Sequence, residues 1–142
     1  SILEDWPPAW DEANLVAVST LDKVLGGRFE GERCLMVVDI EGAERLMLEG
    51  ASDWLCRDTR PMWMLEIWIS EQFGDGSVNP ELIRTFSIFW DSGYEAWTVE
   101  RASRKVEREE VEAVASSGVD TLKTHSFLFV EVGAGERLLG QA

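Results

Sequence analysis

Histidine is nearly absent from this chain. His125 is the only one, so neither a Ser-His-Asp triad nor a histidine-rich metal site can be built without it. Standing just ahead of an apolar segment, it reads as a structural loop residue. Cysteine is scarce too: Cys34 and Cys56 have no metal or redox spacing, and two thiols are too few for a disulfide framework. They read as buried free thiols in a reducing compartment, so the expected location is cytoplasmic. Long apolar runs are missing. Segments 35–38 and 127–130 are far short of a membrane span, and the acidic start, broken by Pro7 and Pro8, does not resemble a secretory signal. Positive charge is in deficit, with 13 Lys and Arg against 27 Asp and Glu and a net charge of −14. Phosphate neutralisation needs Lys and Arg, so neither a nucleic-acid nor a membrane partner is expected. The one locally basic stretch, 101–108, contains Glu107 and reads as a solvated helix face.

What is there suits one soluble globular domain. Hydrophobic residues at 45% and charged residues at 28% are too apolar for disorder, and 142 residues make one domain of ordinary size. Residues 1–14, rich in Trp, Pro and acid, read as an irregular lead-in. Residues 15–19 suggest a short strand. Thr20 or Asp22 then caps a brief helix over 21–25, stopped by Gly26 and Gly27. Leu35-Met-Val-Val-Asp-Ile40 reads as a strand buried on both faces, and 41–49 as a helix with Ala43, Leu46, Met47 and Gly50 on its apolar stripe. A short helix over 51–57, a strand over 62–68 and a Gly74-Asp-Gly76 loop follow. Asn79 and Pro80 open a helix bearing Leu82, Ile83, Phe86, Phe89 and Trp90, and Gly93 closes it. A strand over 94–99, a helix over 106–115 and a strand over 126–132 complete the order. This alternation predicts an α/β fold with a mostly parallel sheet.

The chemistry concentrates in Asp39-Ile40-Glu41-Gly42-Ala43-Glu44, straight after a buried strand. Three carboxylates in six residues repel one another unless water, a cation or a cationic substrate compensates. Ligands of open α/β sheets bind at the carboxyl ends of strands, where Asp39 and, on the next strand, Glu66 both fall. Paired acids there can take a proton from a hydroxyl or hold a divalent metal, with Asp39, Glu44 and Glu66 as the ligand set. Bland readings stand beside these. Glu41 suits a surface ion pair with Arg45, Asp39 can simply cap the following helix, and Glu44 is outward on the first turn. Glu66, inside Met-Trp-Met-Leu-Glu-Ile-Trp, is rarely buried without a specific partner.

In these residues the chain resembles the FkbM-type methyltransferases. The shared elements are Leu21-Asp22, the strand to Asp39, Glu41-Gly42-Ala43-Glu44, Leu48-Glu49-Gly50-Ala51, Leu65-Glu66, Gly93-Tyr94 and Phe127-Leu128-Phe129-Val130, in family order over about residues 16–131. The resemblance implies the C-terminal half of a Rossmann-like class I methyltransferase fold, mostly parallel with an antiparallel last strand. It also implies S-adenosyl-L-methionine as cofactor and a small-molecule or sugar hydroxyl as methyl acceptor. Asp39 would be general base or metal ligand, Glu66 its partner and Glu44 a third ligand.

The chain departs from the family in two places. The Gly-rich turn and the ribose-binding acid that should precede Leu35 are missing from the 34 residues ahead of it, and Val37-Val38 stand where a Lys usually precedes the Asp. The expected chain is therefore a catalytic-side half or a degenerate member. Gly133-Ala-Gly135 mimics the cofactor loop but leaves no room for a nucleotide-binding unit, and reads as the frayed end of the last strand. The cut sheet edge at Leu35 is expected to be covered, by residues 15–19 or by a second copy in a homodimer. A non-catalytic association module is the rival reading.

Overall fold

The computed structural model describes residues 16–70 and 76–139. In chain order they form α1 (Leu21–Leu25), β1 (Leu35–Val38), α2 (Glu44–Glu49), α3 (Ser52–Leu55), β2 (Met62–Glu66), α4 (Leu82–Asp91), β3 (Tyr94–Thr98), β4 (Lys105–Val106), α5 (Arg108–Ser117), β5 (Ser126–Glu131) and α6 (Gly135–Leu139). The fold is α/β. The lead-in with Trp6 and Trp10, Leu15 and the Gly74-Asp75 loop residues lie outside the described residues.

The five strands form one mixed sheet in the order β1-β2-β5-β3-β4. β1 runs parallel to β2, whereas β5 is antiparallel to both β2 and β3, and β4 closes an antiparallel hairpin on β3. The expected antiparallel last strand is β5. β5 inserts between β2 and β3, so β1, β2 and β3 run in one direction while, among the described strands, only β1 and β2 are parallel neighbours.

One face of the sheet carries the core. Trp63, Leu65, Phe127, Phe129 and Ala96 alternate onto it and are fully buried. From α4, Phe86 meets Phe127 edge-on at 5.0 Å between ring centroids, and Phe89 stacks on Phe129 at 3.8 Å. Truncating a buried aromatic of this kind costs about 3–5 kcal/mol. The other face carries Leu35, Val37, Met62, Met64 and Leu128. β1 is therefore not buried on both faces: Leu35 is 52% and Val37 63% exposed, because no described element lies over them. Residues 16–19 form no strand either. Val16 and Val18 are exposed, and a four-residue segment without a ladder partner gains nothing from extension.

Several local expectations shift for clear reasons. Glu41 and Gly42 adopt φ of +56° and +96°, which a right-handed helix cannot continue, so α2 begins only at Glu44. Its buried stripe becomes Glu44 and Leu48, while Leu46 is exposed and Glu44 is not outward. Arg45 pairs with Glu49 and Glu81, each at 2.5 Å, in place of Glu41. Thr20 caps α1, accepting from Lys23 N–H at 3.3 Å, and Asp22 serves another helix. Its carboxylate accepts from Asp53 N–H and Trp54 N–H at 3.2 and 3.3 Å, the open donors at the start of α3. Residues 101–107 are no helix face, α5 beginning only at Arg108: they hold the β3–β4 turn and β4, with Arg104 gripping Glu110 through two 2.8 Å contacts. Cys56 is exposed and Cys34 half-buried, so neither thiol is sequestered in the core.

The last strand does not fray. After a turn with Gly133 at φ +81°, α6 returns onto the second face of the sheet. Gly135 is buried, its N–H donating to Glu95 Oε1 at 2.8 Å, and a Cβ there would strike the Trp97 indole.

Candidate functional site

Parallel pairing brings the two strand-end acids to one edge. β1 and β2 pair from Leu35 with Met62 through Val38 with Leu65, and continuing that register by one residue sets Asp39 beside Glu66. Both then share the sheet face of Leu35, Val37, Met62 and Met64, because side chains alternate with a period of two. On its other side Glu66 pairs with Ser126 of β5.

That antiparallel neighbour supplies a residue the sequence reading set aside. His125 immediately precedes Ser126, and its Nε2 lies 3.4 Å from Glu66 Oε1. Its backbone carbonyl accepts from Ile67 N–H at 2.6 Å, and its ring stacks on Trp68 at 5.3 Å and 17°. Asn79 steadies the same corner, donating from Nδ2 to the Trp68 carbonyl at 3.0 Å. A lone His ahead of a strand carries no signal by itself. The signal is the Glu66–Ser126 pairing, which sequence patterns cannot supply.

The three expected acids meet different fates. Glu66 is half-buried and tied to His125. Glu44 is 3% exposed and accepts from Gly42 N–H at 3.0 Å, locking the turn that follows Asp39. Asp39 is exposed, with no side-chain hydrogen bond or ion pair to another described residue. Asp39, Glu44 and Glu66 do not converge as a ligand set: among the described residues no group of three or more His, Cys, Asp or Glu side chains can hold a metal ion. Glu44 has turned away to its own backbone.

The cofactor-like glycines fare no better as a cradle. The space beside Gly135 is filled by Trp97 and Glu95, and Gly133 only turns the chain. No described residue is therefore assigned to S-adenosylmethionine. Among the described residues, no helix is long and apolar enough to cross a membrane. Compared with protein-family models, with curated proteins and with solved structures, the chain matches none of them.

Proposed function

We propose that this chain is the catalytic-side half of an FkbM-type S-adenosylmethionine-dependent methyltransferase, acting on a hydroxyl oxygen of a small molecule or sugar. The supporting observation is the parallel β1–β2 register, which carries Asp39 and Glu66 to one carboxyl edge. The antiparallel β5 agrees with the last strand that the resemblance implies. S-adenosylmethionine supplies the methyl group when bound. Asp39, whose carboxylate is unengaged, accepts the proton of the acceptor hydroxyl, and the Glu66–His125 pair orients that hydroxyl. No step runs through a metal, since the carboxylates do not form a ligand set.

The test is methyl transfer from radiolabelled S-adenosylmethionine by the full-length gene product to a panel of sugars and small alcohols. No labelled product from a folded, donor-binding protein sinks the assignment. The half-fold reading is tested separately by calorimetry on the present chain, which should bind S-adenosylmethionine weakly or not at all. Micromolar affinity would overturn it.

One observation favours a second reading, an α/β association module. β1 is an apolar edge strand with Leu35 and Val37 exposed, and no described strand pairs with its outer side. Two-fold pairing of β1 with a second copy would cover it. A clean monomer in sedimentation at high concentration, with rapid amide exchange at Met36 to Val38, would refute that reading.

A further inference from the structure

At the amino edge of the sheet, opposite Asp39, lies a cavity of about 400 Å³ unrelated to the proposed methyl-transfer site. Its lining includes Arg33, Arg60 and Arg137, three of the 13 basic residues of a chain with net charge −14. Their situations differ.

Arg60 is committed to the fold. Its guanidinium donates to the Ser92 carbonyl, sits 5.6 Å from the centre of the Tyr94 ring and lies 3.7 Å from Glu131. Arg33 and Arg137 are exposed, and neither makes a side-chain hydrogen bond or ion pair to another described residue. The acids of the lining are Asp58 and Glu131, so three guanidinium groups against two carboxylates leave the cavity one positive charge in excess.

Between the charges the lining is apolar. Met62 is half-buried, and the exposed Leu138 extends from α6, the helix that also presents Arg137. α6 is held there by the Glu95 bond to Gly135 N–H. A volume of this size takes a small organic ligand, and a guanidinium fork matches a carboxylate through two parallel hydrogen bonds. A single net charge favours a monoanion over a phosphate monoester, which carries close to two charges at neutral pH.

We infer that this cavity binds a monocarboxylate with a short apolar body, its carboxylate held by Arg33 and Arg137 and its body lying on Met62 and Leu138. The inference does not depend on the methyl-transfer reading.

Octanoate is the probe, titrated by calorimetry into the full chain at low salt. Saturable one-site binding is expected, weakened about tenfold by Arg33→Gln and again by Arg137→Gln, as loss of a charge-assisted hydrogen bond implies. Asp39→Asn, at the opposite edge, should leave binding unchanged. Octanol, the body without the charge, and acetate, the charge without the body, should each bind at least tenfold more weakly. Both arginines are exposed, so the variants should fold, and matching denaturation midpoints check that. The inference fails if octanoate does not saturate, if octanol or acetate binds as tightly, if octyl phosphate binds more tightly, or if folded arginine variants keep full affinity.

Discussion

The two edges of one sheet are chemically opposite. At the carboxyl edge stand Asp39 and Glu66, with Glu44 buried behind them, while the amino edge carries Arg33, Arg60 and Arg137. Asp39 stands six positions after Arg33 and Glu66 six after Arg60, roughly 20 Å at about 3.3 Å per residue. They are also built differently. Two neighbouring parallel strands make most of the carboxyl edge, so residues 39 and 66 fall at the same end of the sheet simply because both close apolar runs of similar length. Three remote segments make the amino edge: the entry to β1, the entry to β2, and α6 folding back after the antiparallel β5. An edge made by parallel neighbours can be read from linear patterns. One closed by an antiparallel return cannot.

The sharpest way to break this contrast is to neutralise one charge at each edge. On the proposed function, Asp39→Asn should lower the methyl-transfer rate about 10²-fold or more, the usual worth of a general base. Arg137→Gln should leave that rate unchanged. Equal losses from both would mean that the edges do not act independently.

Next in size is the attachment of α6. Gly135→Val drives a side chain into Trp97 and Glu95 and should cost about 1–3 kcal/mol, as overpacking does. Urea denaturation measures the loss. The ring resonances of His125, the only histidine, should stay in place if the carboxyl edge is unaffected.

Smaller still is the effect of Tyr94, the only tyrosine, at the amino end of β3. Burial raises its phenol above the ordinary value, outweighing the opposing effects of the Trp63 N–H, which donates to its oxygen at 3.3 Å, and of Arg60. The folded protein thus holds the phenolic proton more tightly than the unfolded chain does. Its stabilising contribution is complete below the unfolded value of about 10 and is lost as pH rises through the higher folded value. Ultraviolet titration should find the phenolate forming late. Tyr94→Phe should cost about 1 kcal/mol near neutrality, by orphaning the Trp63 N–H, and should flatten the alkaline decline. The smallest effect belongs to Arg104 beyond the carboxyl end of β3. Its pair with Glu110 is largely solvated, so Arg104→Gln should cost under about 1 kcal/mol, and added salt should erase the difference.

Local chemistry was legible where the cause is local. Gly93 at φ +83°, Thr20 as a cap and the Leu82–Phe86–Phe89 stripe each depend on a few neighbouring residues, and each is where the pattern puts it. Asp22 shows the limit, because its carboxylate does cap a helix, but one that begins thirty positions further on. Glu44 shows another. Its helical phase depends on two left-handed residues, and only Gly42 advertised itself as tolerant of that conformation.

The sequence by itself determined the alternation of helices and strands and the strand-end positions of Asp39 and Glu66, because periodicity and turn chemistry act over a few residues. Tertiary structure alone decided that β5 inserts beside β2, that His125 therefore meets Glu66, and that α6 brings Arg137 to Arg33. Those contacts join residues tens of positions apart. They form only when the sheet selects one strand order, and that selection rests on packing the faces of all five strands at once.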